Sequence, residues 1–274
     1  MDGGRWTVDG GRWTAKIKNL LTMDGWDTME TTHPKTILIC LPYAGAGANC
    51  FTPLRSHLPE GLQMVEATLP GRGQRYAEPL LKNADDMAAD IWKQVSPLLY
   101  RPYALLGHSM GGLLAYLLCH KISQAGLPPP VHLFLSGREA PSVPPKEPLE
   151  YLLPYQAFKE QLEGYGGIAP EIVQDEDTFA FFEPMIRADF EAVGTWQYHP
   201  RPKLDIPVTV LWGTEEDLTE QEARAWQQEF SAEARFEVFE GGHFFIFEQA
   251  KAFCSNLKMR IGEKRPLQQR DKYL

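Results

Sequence analysis

Gly107-His108-Ser109-Met110-Gly111 sets a lone serine between glycines, with an apolar run before it (103–106) and another after it (113–118). The pattern is G-x-S-x-G, in which the serine occupies a sharp turn from strand to helix. Glycines belong there for steric reasons: side chains beside the turn would collide with strand and helix. The turn holds Oγ clear of the sheet at a helix N-terminus. There the Met110 N–H and the helix dipole face a developing oxyanion. The competing reading is a glycine-padded turn that only packs helix on strand.

A neutral serine hydroxyl is a poor nucleophile and needs a base, which in turn needs an orienting acid. His243 is the candidate base. It lies in Glu240-Gly-Gly-His-Phe-Phe, late in the chain, after a strand-like run and behind two glycines. Of the other histidines, His108 belongs to the turn itself and is read as packing beside the nucleophile and pointing elsewhere. His120 and His132 read as structural, and His33, His57 and His199 lie in turns or polar contexts.

The order serine, acid, histidine places the acid between Ser109 and His243. The turn after the apolar run 206–213 offers Glu215, Glu216 and Asp217. Asp217 is the choice, because the short side chain is the commoner triad acid. Glu216 is the reserve, and Glu139, after the run 131–137, is the third candidate. A second oxyanion donor is expected from the glycine-rich segment 42–47, where small residues let the Ala44 N–H approach a substrate.

Such a site needs strands that end at a common edge. Short apolar runs at 36–42, 62–69, 103–107, 131–137, 206–213 and 234–239 read as strands, each running into turn residues. Helical spacing falls between them, at 84–99, 110–125 and 220–230. This alternation predicts an α/β fold: a mainly parallel sheet with helices on both faces. The interval 141–200 breaks the alternation. It shows helix-like pieces but no clear strand, and it is too long for a connector. It is expected to form a helical lid over the carboxyl edge of the sheet, where open α/β sheets bind ligands.

The expected organisation is a non-native or unstructured extension over 1–34, one domain over 35–262 and a polar tail over 263–274. The extension carries "DGGRWT" twice, and Met23 and Met29 are alternative starts. The formal charge of −9 argues against a nucleic-acid partner. No apolar run approaches the length of a membrane helix. Cys40, Cys50, Cys119 and Cys254 show no CxxC spacing, so reduced thiols, no metal site, no cofactor and a cytoplasmic location are expected.

Taken together, the segments resemble a type II thioesterase of nonribosomal peptide and polyketide synthesis, an α/β-hydrolase family also similar to the thioesterase that releases medium-chain fatty acids. The resemblance runs from about 35 to 257. It rests on LPYAGAGANCFTPLRSHLP, LPGRGQRYAEP, YALLGHSMGGLLAY, LSGREAP, IRADFEAVGTWQY and GGHFFI. It implies Ser109 as nucleophile, His243 as base, Asp217 as acid and the Ala44 and Met110 amides as oxyanion donors. One departure is visible: the family's acid usually stands three residues after the strand-ending glycine. From Gly213 that offset is Glu216; Asp217 requires a one-residue insertion in the turn.

The resemblance further implies hydrolysis of acyl groups from the phosphopantetheine arm of a carrier protein, as an editing activity. The lid is expected to move as the arm enters. Its apolar residues Leu152, Leu153, Phe158, Phe179, Phe181 and Phe182 either line an acyl pocket or bury the lid helices against the core.

Overall fold

The computed structural model describes residues 36–146 and 149–262. The extension 1–34 and the tail 263–274 lie outside the described residues. In chain order the elements are β1 (Thr36–Leu41), α1 (Thr52–Arg55), β2 (Leu62–Glu66), α2 (Ala84–Val95), β3 (Tyr103–His108) and α3 (Met110–Gln124). Then follow β4 (His132–Ser136), α4 (Tyr155–Tyr165), α5 (Pro170–Gln174), α6 (Glu176–Gly194), β5 (Val208–Gly213) and α7 (Glu220–Arg224). The last are β6 (Arg235–Phe239), α8 (Phe245–Glu248) and α9 (Ala250–Gly262).

The strands form one sheet in the order β2-β1-β3-β4-β5-β6. Every described pairing is parallel, as helical crossovers require. All strands therefore end at the same edge. The order turns at β1 and β3, the place where loops diverge and a ligand crevice opens.

Strand residues alternate between two cores, because successive side chains point to opposite faces. Ile37, Ile39, Leu105, Leu133 and Val210 pack with α2 and α3 on one face. Leu38, Cys40, Leu106, Phe134 and Leu211 pack with α1, α8 and α9 on the other. The central strands are buried along their whole length, which explains why they read as continuous apolar runs rather than alternating ones. β6, at the sheet edge, is only half-buried.

Two helices end earlier than their spacing suggests. The periodic run 84–99 leaves the α-helix at Val95 and continues as a single 3-10 turn, with Pro97 in its first positions. Proline has no N–H to give and its ring clashes with the carbonyl four residues back. The run 220–230 likewise divides into α7 and a 3-10 segment over Ala225–Glu229.

The interval between β4 and β5 is helical, as expected. α4, α5 and α6 share a small core of their own, built on Phe158, Leu162, Val173, Phe179, Met185 and Ile186. They reach the carboxyl edge through specific contacts: Gly45 donates to Asp189 of α6 at 2.9 Å, and Tyr43 Oη donates to the Gly167 carbonyl at 3.4 Å. Among the described residues no helix is long and apolar enough to cross a membrane. All four cysteines are free, with Cys40, Cys119 and Cys254 buried.

Candidate active site

Ser109 has φ 53° and ψ −120° and caps the N-terminus of α3. A side chain in this region of backbone space is strained and needs its surroundings to hold it there. Close packing does so. A Cβ on Gly107 would lie 2.1 Å from the Gly111 carbonyl oxygen, and one on Gly111 would lie 2.2 Å from that of Leu41. Only glycine lets α3 cross this close over β1 and β3. The Ser109 N–H donates to the Ser136 carbonyl at 2.8 Å, which pins the turn to β4. The Met110 amide opens α3, where helical N–H groups have no intrahelical partner.

A histidine–carboxylate pair comes from the loops after β5 and β6. His243 follows β6, and its Nδ1 lies 2.8 Å from Glu216 Oε2. The other carboxylate oxygen, Oε1, accepts the Gly213 N–H at 2.6 Å. The Glu216 side chain is 3% exposed and that of His243 24%. Glu216 is thus buried and held at both oxygens, while the imidazole keeps an accessible edge. The loops are laced together: Thr214 N–H donates to the Phe239 carbonyl and Glu215 N–H to that of Gly241. Ser109 Oγ makes no hydrogen bond to His243 in this arrangement. Bonds of this kind commonly tighten only when substrate is engaged.

Asp217, expected to be the acid, is not at the site. Its side chain is 93% exposed and pairs with Lys146 at 3.1 Å. The turn after β5 is short, with Glu216 N–H reaching back to the Gly213 carbonyl. It therefore points the third residue after Gly213 inward and the fourth outward, so no inserted residue is needed. Glu139 pairs with Arg138 at 3.1 Å instead of facing His243.

His108 does not point away from the site. Its ring centroid lies 4.8 Å from that of His243. The period-two alternation of β3 puts it on the α8 side, where Tyr43, Phe244, Phe245 and Phe247 enclose it. Its Nδ1 meets Ser136 Oγ at 3.1 Å. Burial, and secondarily the charge of His243, hold its pKa well below the usual 6.5, so it stays neutral. Gly137 seats both rings. It has φ +58°, and a Cβ there would come within 2.9 Å of His108 and 3.1 Å of His243. His132 meets Thr209 Oγ1 at 2.8 Å, and His120 packs edge-on to Tyr116; His33 lies outside the described residues.

Ala44 stands at the second position of a turn closed by Ala46 N–H to the Tyr43 carbonyl at 3.1 Å. Gly45, at φ +77°, takes the left-handed third position. The Gly45 N–H is engaged by Asp189, whereas the Ala44 N–H makes no bond among the described residues. Beside this loop is a cavity of about 530 Å³ whose walls include Gly45, Gly47, Ile168, Phe182, Met185 and Ile186. The lid residues named from the sequence divide. Phe158 and Phe179 are fully buried inside the lid, Phe181 and Phe182 line the cavity, and Leu152 is exposed.

A parallel sheet with a strained serine at the central strand-to-helix turn, and a carboxylate-bound histidine on the loop three strands away, defines an α/β-hydrolase. The chain belongs to the thioesterase domain family, whose model matches residues 36–261. It is a hydrolase of thioesters. It is 33% identical over 235 residues to the gramicidin S biosynthesis protein GrsT of Aneurinibacillus migulanus, spanning 84% of this chain and 92% of that protein. Among solved structures it is similar to the type II thioesterase BorB from the borrelidin biosynthetic cluster. That likeness has a TM-score of 0.77 and 32% identity over 84% of this chain and 94% of BorB. ClbQ from the colibactin NRPS/PKS pathway superimposes with a TM-score of 0.78 at 28% identity, covering 83% of this chain and 97% of ClbQ.

Proposed function

We propose that the protein hydrolyses acyl groups from the phosphopantetheine arm of a cytoplasmic carrier protein, editing stalled or misprimed synthase modules, by a Ser109–His243–Glu216 triad. The observation that carries the mechanism is the buried Glu216 on His243 Nδ1. It fixes the tautomer whose Nε2 is free to accept a proton. The carrier-bound substrate is supported by the likeness to type II thioesterases of biosynthetic clusters.

In this reading His243 Nε2 takes the Ser109 proton as Oγ adds to the thioester carbonyl. The tetrahedral oxyanion accepts from the Ala44 and Met110 amides, each worth about 3 kcal/mol. Collapse expels the thiolate, which receives the proton from His243. Water then attacks the acyl-serine, with His243 again as base, and the acid product leaves. The cavity beside the Ala44 loop takes the acyl chain. The lid opens to admit the arm.

The test has two parts. Rapid mixing with p-nitrophenyl butyrate should give a burst of one nitrophenolate per protein, absent in Ser109→Ala. Acyl carrier protein should then be a better substrate, by kcat/KM, than the same acyl group on coenzyme A. Turnover of the ester by Ser109→Ala at the wild-type rate would overturn the acyl-serine. A preference for free medium-chain acyl-coenzyme A would instead make this a fatty-acyl thioesterase.

A further inference from the structure

Outside the triad, the described residues hold one fully buried, doubly bonded ion pair, and it grips the Ala44 loop. Arg72 Nη1 and Nη2 donate to Asp189 Oδ2 and Oδ1 at 2.8 and 2.7 Å. Arg72 is 5% exposed and Asp189 is 0% exposed. Neither group is spent on the other alone. Asp189 Oδ2 also accepts the Gly45 N–H at 2.9 Å, and Arg72 Nη1 also donates to the Ala46 carbonyl at 3.0 Å. Arg72 Nε is anchored on the Pro70 carbonyl at 3.4 Å.

We infer that Arg72 and Asp189 are positioning residues that aim the Ala44 amide at the oxyanion. This inference rests on the proposed acyl-serine mechanism. The turn Tyr43–Ala46 has one internal hydrogen bond and a left-handed glycine, so by itself it can rotate its peptide planes at little cost. Asp189 fixes the Ala44–Gly45 peptide by its N–H, and Arg72 fixes the Ala46–Gly47 peptide by its carbonyl. The Ala44 N–H lies on the Tyr43–Ala44 peptide, whose carbonyl accepts the Ala46 N–H; with the two neighbouring planes set, that turn bond holds the Ala44 N–H in one direction. Bidentate geometry suits the task, because planar guanidinium and carboxylate lock orientation as well as distance.

The origin of the two residues gives the clamp a second consequence. Arg72 lies in the loop that follows β2, whereas Asp189 lies on α6 and belongs to the lid. The clamp therefore ties the base of the lid to the loop that carries the oxyanion donor. Helix α6 near Asp189 is held to the loops after β1 and β2, and lid motion is confined to the segments before it, from the 3-10 turn Glu150–Leu152 to α5. An oxyanion donor only contributes when it points where the charge develops, so loosening the clamp should cost the transition state and spare the ground state.

The experiment compares the full-length protein with Arg72→Met/Asp189→Leu and with Asp189→Asn. The double change removes both buried charges together, which avoids stranding one of them. Asp189→Asn is nearly isosteric and covers the case in which the double variant does not fold. Three quantities are read at a temperature below each variant's melting point: kcat, KM and inhibition by an alkyl trifluoromethyl ketone. Ser109 Oγ adds to the ketone carbonyl to give a tetrahedral alkoxide that needs the same donors.

We expect kcat to fall by about tenfold or more, KM to change less than about twofold, and ketone affinity to weaken by the same factor as kcat/KM. A folded variant of either kind with wild-type kcat and ketone affinity would overturn the inference. So would a loss of kcat with ketone affinity unchanged, since that places the defect elsewhere. Absence of both burst and ketone inhibition in the wild-type protein would instead overturn the acyl-serine reading.

Discussion

Glu216 holds His243 with one carboxylate oxygen and the strand-ending Gly213 amide with the other, at 2.8 and 2.6 Å. The second bond makes the acid rigid. A glutamate has one more rotatable bond than an aspartate, and here that freedom is removed by a backbone donor at the end of β5. The longer side chain is therefore held as firmly as a short one would be.

Glu216→Gln should lower kcat by about 10⁴, the scale seen when a triad carboxylate is made an amide in a related constellation. The amide can donate to Nδ1 and favour the wrong tautomer, and it no longer stabilises the imidazolium. Asp217→Asn, one residue on, should change kcat by less than about twofold, because its exposed charge acts through water. Steady-state rates with one activated ester suffice. A crippled Asp217→Asn beside an active Glu216→Gln would reverse the assignment.

Gly137→Ala should impair catalysis more than folding. Its Cβ would press on His108 at 2.9 Å and on the edge of His243 at 3.1 Å, from a backbone at φ +58°. The His243 ring has an exposed edge and can yield, so the base moves away from its working position. A loss of kcat of about 10²-fold is expected, since misplacements of about 1 Å carry that scale of cost. A protein with normal kcat would show that the rings accommodate a methyl group without displacement.

Gly107→Ala and Gly111→Ala should act the other way, mainly on stability. In each the new Cβ meets backbone oxygen, at 2.1 and 2.2 Å, which cannot step aside like a side-chain end. In Gly112→Ala the nearest atom is Arg138 Cβ, at 3.1 Å, and the nearest backbone atom is the Gly107 oxygen at 3.8 Å. Urea denaturation should show the first two destabilised by more than about 2 kcal/mol and the third by much less. Equal losses in all three would mean that helix propensity, rather than α3 crossing close over the sheet, decides these positions.

The sheet was legible because its strands are apolar on both sides and end in glycine or proline. The serine turn was legible because it is local, a five-residue pattern bounded by a strand and a helix. The acid was not. Glu215, Glu216 and Asp217 are neighbours with the same charge, and which one faces His243 depends on a turn whose curvature is set by Gly213 and by bonds to the loop after β6. The offset from Gly213 did carry the signal, but the commoner residue type outweighed it. His108 was misread for a similar reason: period-two alternation places it on the α8 face, yet nothing local says that the His243 loop arrives there too. The Arg72–Asp189 pair joins positions 117 apart in sequence, and separation of that order leaves no pattern to read.

The buried histidines make stability depend on pH. His108 and His120 each bury an Nε2 with no partner among the described residues. Burial is the first cause in both, pushing His108 well below the usual value and His120 down to about 4, with Arg201 adding to the effect on His120. In the unfolded chain both return to about 6.5. Between about pH 4 and 6.5 the unfolded state therefore binds more protons than the folded one, and stability rises with pH. The contribution is complete above about 6.5 and is lost as pH falls, at up to about 1.4 kcal/mol per pH unit for each histidine. Glu78, Asp90, Asp175 and Glu176, whose pKa values are lowered, add their own losses only near and below about pH 4. The window from pH 4.5 to 6.5 thus isolates the histidines. His120→Leu should flatten the plot of unfolding free energy against pH there by about one proton's worth, with the wild-type slope unchanged above pH 7. Urea midpoints at half-unit intervals measure it. A variant with the wild-type slope would show that His120 takes up its proton equally in both states.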